Sequence, residues 1–237
     1  MRILITLVSL VLFSSCQSDY EENNIAIVIH GGAGTILKEN MTPELELAYL
    51  QKLEEAVKTG YQILQEGGTS QNAVEETIKI MENSPLFNAG LGAVLTNDET
   101  VSLDASFMEG SNLNAGAIAG SQYIKNPISA AISVMNDSPH VLLSSEGADE
   151  FAIKMGLDTM PNSYFITERR LNSVRKAKEN DRLAVVDPFI NDYKYGTVGC
   201  VAIDKNGNIS SGTSTGGTTN KKWGRIGDAP IIGAGTY

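Results

Sequence analysis

The sequence predicts an α+β domain. Helical periodicity dominates up to residue 179, and short strand-like segments with tight turns dominate after residue 196. Between them lie residues 180–195, with charges, a proline and no clear period, which read as an exposed linker. At 237 residues, 42% hydrophobic and 19% charged, the chain can bury one sizeable core.

The elements follow in order. Residues 25–29 are a β-branched run, predicted to be a buried strand. The run ends in His30-Gly31-Gly32-Ala33-Gly34, a turn that needs glycine's backbone freedom. Residues 44–66 are a predicted helix, because Leu50, Leu53, Val57, Tyr61 and Leu64 recur every three or four positions; Gly67-Gly68 stops it. Ser70 is the predicted cap of the next helix, which runs to about Asn83, ahead of Pro85. Phe87-Asn88-Ala89-Gly90-Leu91-Gly92 is a glycine-punctuated loop. Strands are expected over 101–107, 114–119 and 140–143, and helices over 127–135, 147–155 and 168–179. Beyond the linker, residues 197–203, 209–213 and 230–235 read as strands, with a turn at Lys205-Asn206-Gly207-Asn208.

The first residues stand apart. Met1-Arg2, an apolar run over 3–13 and Ser14-Ser15-Cys16 have the form of a secretory signal. Cys16 resembles the processing site of a bacterial lipoprotein, although Phe13 stands where a smaller aliphatic residue is usual. The expectation is a signal over residues 1–16, lipid on Cys16, an acidic tether over 17–24, and an exported protein of the periplasm or cell envelope. The alternatives are an apolar start without that role, or a secreted protein that loses Cys16. The run is too short to span a bilayer.

Composition excludes some functions. A net charge of −10 argues against nucleic acid, whose phosphates need clustered Lys and Arg. Two cysteines, Cys16 and Cys200, leave no internal disulfide if the first carries lipid. Two histidines, His30 and His140, leave little for a metal centre or a His base.

The chemistry centres on Gly196-Thr197-Val198-Gly199. Inside a chain, a Thr hydroxyl lacks a base. At a chain N-terminus, its own α-amine, with a pKa near ~8, takes the proton. Cleavage before Thr197 creates nucleophile and base in one residue, and Gly196 lets the scissile bond take a strained shape. Taken alone, Thr197 reads first as an ordinary residue opening a strand, since strands often begin with Thr.

Six segments carry a resemblance. They are 28–34 (Val-Ile-His-Gly-Gly-Ala-Gly), 85–92 around Asn88, 103–106 (Leu-Asp-Ala-Ser), 196–199, 213–217 (Thr-Ser-Thr-Gly-Gly) and 224–228 (Gly-Arg-Ile-Gly-Asp). In this order and spacing, over residues 25–237, the chain resembles the plant-type L-asparaginases and isoaspartyl (β-aspartyl) peptidases. The resemblance implies a four-layer αββα sandwich of the N-terminal-nucleophile hydrolase fold. It implies self-cleavage between Gly196 and Thr197 into an α part (25–196) and a β part (197–237). Thr197 would be the nucleophile, Thr215 its orienting partner, and Asn88 a neighbour of both. Arg225 would hold the substrate's α-carboxylate and Asp228 its α-amine, with Ile226 and Gly227 between them. Carbonyls of Glu82, Phe87, Ala89 and Leu91 would bind a structural sodium ion; catalysis needs no cofactor. Asparagine and β-aspartyl dipeptides are the implied substrates, and a homodimer of α/β heterodimers the implied assembly.

Each residue has a plainer role as well. Arg225 and Asp228 could form a surface ion pair. Asn88 could satisfy a turn, His30 the glycine loop, and Asp104 a neighbouring backbone group. The resemblance also implies that relatives continue past Tyr237 with a Thr-Gly segment supplying an oxyanion hole. On that ground the chain reads as a C-terminally incomplete piece of a longer protein, or as an inactive surface lipoprotein with a binding role. Gly212-Thr213-Ser214-Thr215-Gly216 also fits the G-x-S-x-G elbow of α/β-hydrolases, but no helix pattern and no His follow it.

Overall fold

The computed structural model describes residues 24–32, 41–184 and 196–237. The signal, Cys16, the tether up to residue 23, Ala33, Gly34 and residues 185–195 of the expected linker lie outside the described residues.

The first half supplies β1 (Ala26–His30), α1 (Pro43–Gln65), α2 (Ser70–Glu82), β2 (Leu103–Glu109), β3 (Ala115–Ser121), α3 (Pro127–Asp137), β4 (Leu142–Ser144), α4 (Ser145–Lys154) and α5 (Glu168–Ala184). The second half supplies β5 (Val198–Ile203) and β6 (Ile209–Thr215). The strands form one six-stranded sheet in the order β1-β5-β6-β2-β3-β4. All neighbours are antiparallel except β3 and β4. The β5–β6 hairpin therefore lies between β1 and β2, and strands from both halves interleave.

Helix ends follow local chemistry. Thr42 caps α1 by accepting from the Leu45 amide at 3.2 Å, with Pro43 in the first turn. Gly67, at φ 87°, ends it, and the Gly68 amide returns to the Ile63 carbonyl at 2.8 Å. The cap of α2 is Thr69, one residue before the expected Ser70, which is already helical. Its side chain accepts from the Asn72 amide, and Ser70 instead meets Ser210 at 2.8 Å.

Other expectations need correction. β1 is an edge strand with Val28 70% exposed, so its β-branched run is not fully buried. Leu50 and Tyr61 point outward; α1 packs through Ala56, Gly60 and Leu64. α5 continues to Ala184, into the start of the expected linker. Residues 230–235 form turns rather than a strand, with one isolated bridge between Ile232 and Thr236.

The core lies between the sheet and its helices. A Cβ on Gly212 of β6 would come within 2.9 Å of Ile128 and 3.0 Å of Val74, so α3 and α2 press on the sheet through a glycine. Ile78, Met81, Phe87 and Phe107 are buried around that contact. Side chains alternate along β6, so Thr213 faces the other side. There its hydroxyl donates to the Ala229 carbonyl at 3.0 Å and meets the Thr236 hydroxyl at 2.9 Å. A second cluster joins Leu95, Val101, Leu103 and Phe165 to Val174 of α5. The architecture is a mixed α/β one, a sheet flanked by helices, in keeping with an N-terminal-nucleophile hydrolase sandwich.

Candidate active site

Pairing of β5 with β6 sets Val198 opposite Ser214, and this brings Thr197 beside Thr215 at the sheet end. The Thr197 hydroxyl donates to Thr215 Oγ1 at 3.2 Å. Thr215 Oγ1 donates to the Gly196 carbonyl at 2.9 Å and accepts from the Gly217 amide at 3.0 Å. Asn88 completes the set. Its Nδ2 donates to the Gly196 carbonyl at 2.6 Å and to the Gly217 carbonyl at 2.8 Å, and its Oδ1 accepts from the Val94 amide at 2.8 Å. Asn88 thus does more than close a turn. It ties its own loop to the Gly196 carbonyl and to the turn at Gly217.

Glycines let these chains approach. A Cβ on Gly196 would lie 3.2 Å from the Asn88 Cβ, and one on Gly32 would lie 3.5 Å from the Gly196 Cα. The first turn of the His30 loop therefore covers the bond. The His30 imidazole fills the space over Gly199, where any Cβ would overlap the ring. Burial lowers the His30 pKa, and a hydrogen bond with the Thr197 backbone opposes that shift. His30 props the strand that carries Thr197, as a structural residue would.

Gly217 also meets the expected substrate residues. A Cβ there would stand 3.1 Å from Lys221 Nζ and 3.2 Å from Arg225 Nη1. The Arg225 guanidinium also runs past Gly227, at 2.8 Å from a Cβ placed there. Asp228 and Ile226 are exposed, and among the described residues no ion pair joins Arg225 to Asp228. The structure brings Thr215, Asn88 and Arg225 around Gly217, with Thr197 one hydrogen bond away on Thr215; Asp228 and Ile226 are exposed in the same loop.

Lys221 is the residue sequence reasoning missed. It is 6% exposed, donates to the Ser102 carbonyl at 2.7 Å, and faces Asp104 at 3.9 Å. At that distance the pair is an ion pair without a hydrogen bond, and Asp104 Oδ2 has no hydrogen-bond partner. Asp104 Oδ1 accepts from the Gly120 amide at 2.8 Å, a backbone contact of the expected kind. Burial raises the Asp104 pKa and lowers that of Lys221, and each partner's charge opposes the other's shift. A lysine in a polar run of Thr, Asn and Lys gives no sequence signal of burial.

Two carbonyls of the Glu82–Leu91 loop lie against glycines. The space above Gly90 is taken by the Glu82 carbonyl and that above Gly92 by the Phe87 carbonyl, so a Cβ at either would strike an oxygen. The Ala89 carbonyl accepts from the Gly92 amide at 3.1 Å. Burial pushes the Glu82 carboxyl up to about 7, against bonds from Asn126 and the Ile128 amide. Among the described residues no cluster of His, Cys, Asp and Glu has the makings of a metal centre. Nor is any described helix long and apolar enough to cross a membrane.

Fold and site together define a class: a sandwich hydrolase with a threonine opening an inner strand beside a carbonyl that accepts two hydrogen bonds. The family model described as Asparaginase matches residues 23–237, and the chain belongs to that family. An isoaspartyl peptidase of Escherichia coli is 44% identical over 215 residues, covering 89% of this chain and 67% of that protein. A plant-type L-asparaginase of Pyrococcus horikoshii is 45% identical over 222 residues, 90% of this chain and 70% of that protein. A human isoaspartyl peptidase/L-asparaginase is 42% identical over 215 residues, 91% and 67% respectively. These relatives are named as hydrolases, and none of their names supports a purely binding lipoprotein.

Proposed function

We propose that the chain is a threonine amidohydrolase that cuts itself between Gly196 and Thr197 and then hydrolyses β-aspartyl dipeptides and asparagine. One observation carries this reading. The Gly196 carbonyl accepts from Asn88 and Thr215 at 2.6 and 2.9 Å, and the Thr197 hydroxyl lies one hydrogen bond from Thr215. Two donors on a carbonyl oxygen stabilise the oxyanion that forms when a nucleophile adds to that carbon.

Self-cleavage balances as follows. Thr197 Oγ bonds to the Gly196 carbonyl carbon, the C–N bond between the two residues breaks, and the nitrogen ends with the hydroxyl proton. The ester is then hydrolysed by water, leaving a Gly196 carboxylic acid and a free Thr197 hydroxyl and α-amine. With a pKa near ~8, that amine is a base matched to neutral pH. In turnover it takes the Thr197 proton as Oγ attacks the substrate's side-chain amide. Ammonia or an amino acid leaves with the proton, and water releases aspartate from the ester.

Arg225 pairs with the substrate α-carboxylate through its planar fork, and Asp228 attracts the α-ammonium. The place of the Arg225 guanidinium over Gly217, beside the Asn88 network, supports this role. Ile226 and Gly227 span the two. The carbonyls of Glu82, Phe87, Ala89 and Leu91 would hold a structural sodium ion, which would brace the loop and supply no chemistry; the tight packing of the Glu82 and Phe87 carbonyls against Gly90 and Gly92 supports this reading. The basic start, apolar run and Cys16 support export and a lipid anchor; palmitate labelling that persists in Cys16→Ser would refute it. Pairing of two cleaved units is the proposed assembly.

Thr197→Ala tests the assignment of the nucleophile. The variant should stay uncut and release no aspartate from β-aspartyl dipeptides. A Thr197→Ala protein that matures and turns over dipeptide refutes it.

A further inference from the structure

Two adjacent arginines open α5, and both reach the loop that carries Asn88. Arg169 Nη2 donates to the Pro85 and Leu86 carbonyls at 2.9 and 2.8 Å, and its Nη1 donates to the Tyr49 hydroxyl at 3.1 Å. Tyr49 donates in turn to the Leu86 carbonyl at 2.7 Å, and its ring meets Phe87 edge-on at 5.6 Å. Arg170 Nε donates to the Gly92 carbonyl at 2.6 Å. The two guanidinium groups thus fasten the loop before and after Asn88.

These carbonyls belong to no ladder. Among the described residues, Pro85 and Gly92 have their carbonyls bonded by the arginines alone; Pro85 is exposed, but Gly92 is buried, so removing Arg170 leaves its carbonyl an orphan acceptor. Arg170 is half-buried, and burial, then the charge of Arg169, brings its pKa down to about 10. Two neighbouring cations, one of them half-buried, are an unfavourable pair unless their donors are aimed at something that needs holding. α5 is docked here by Val174 and Leu171 against Leu95, Val101, Leu103 and Phe165.

Between the fastened ends, Asn88 bonds the Gly196 carbonyl. We propose that Arg169 and Arg170 are positioning residues, which clamp the 85–92 loop so that Asn88 stays on the Gly196 carbonyl and self-cleavage proceeds. The clamp rests on the self-cleavage reading above. Neither arginine touches the reacting atoms. Each acts through Asn88, where a misplacement of about 1 Å costs on the order of 10²-fold in rate.

A double-mutant cycle on the full chain tests this. The rate at which the new Thr197 terminus appears is followed by denaturing gel for the parent, Arg170→Ala, Asn88→Ala and the double variant. Arg170→Ala should slow cleavage about 10- to 100-fold in the parent background and little further in Asn88→Ala. Arg169→Ala should do the same more weakly, and Arg170→Lys, which keeps one donor on Gly92, should recover part of the rate. The last two keep the test alive if Arg170→Ala does not fold. A parent that matures while the arginine variants mature equally fast overturns the clamp alone. So does slowing by one common factor with and without Asn88. A parent that never cuts sinks the self-cleavage reading and the clamp with it.

Discussion

At the residue scale, the site depends on a few polar atoms around Gly196 and Gly217. Thr215 is both acceptor and donor: its hydroxyl accepts hydrogen bonds from Thr197 and the Gly217 amide and donates one to the Gly196 carbonyl. Thr215→Val keeps the shape and removes the donor, so self-cleavage should slow by about 10²–10³, the usual loss for one oxyanion donor, measured on gels over time. Thr215→Ser should retain most of the rate. His30 gives a pH signature. Its folded pKa lies below the ordinary 6.5, so the unfolded chain takes a proton the fold resists. Stability should therefore be full above pH 6.5 and fall below it, and His30→Gln should flatten that slope in denaturant melts. Thr197, Asn88, Thr215 and Arg225 were legible because each sits in a rare glycine-rich word. Lys221 and the arginines of α5 were not. Lys221 is set apart by burial and the arginines by carbonyls distant in sequence, which no local pattern encodes.

At the element scale, packing overrides propensity. Gly60 in the middle of α1 costs about 1 kcal/mol against alanine by propensity alone. Yet a Cβ there would overlap the Thr77 hydroxyl and the Ile27 side chain, so α1 can lie close to α2 and β1 only with glycine. Overpacking costs typically 1–3 kcal/mol and wins. Gly60→Ala should lower stability in urea melts, against the helix scale. The same competition explains where the sequence pattern misled. Apolar spacing put Leu50 and Tyr61 on the inner face of α1, but the small residues Ala56 and Gly60 allow the closer contact. The β-branched run of β1 looks like a central strand, and only the sheet order makes it an edge. The end of α1 and the cap of α2 were legible to within a residue, because Gly67-Gly68 and Thr69 act locally.

At the scale of the whole molecule, a cut at Gly196 does not divide the fold into two bodies. β5 pairs with β1 and β6 with β2, so the two pieces share one sheet. Lys221 of the second piece is buried against Asp104 and the Ser102 carbonyl of the first. Lys221→Met, which leaves Asp104 buried without its cation, should cost about 3–5 kcal/mol, read from denaturant midpoints. The cleaved protein should also elute from a native sizing column as one species and separate only in denaturant. The α+β class was legible from the six segments that carry the resemblance and only consistent with the change of periodicity, since four of the six strands lie before the linker. Interleaving was not legible, since strand order depends on contacts between segments far apart in sequence. The most direct measurement is the intact mass of the purified gene product under denaturing conditions, taken alongside its activity. The account requires two polypeptides, the second beginning at Thr197, in any preparation that hydrolyses β-aspartyl dipeptides. One unbroken chain with full hydrolytic turnover would contradict it.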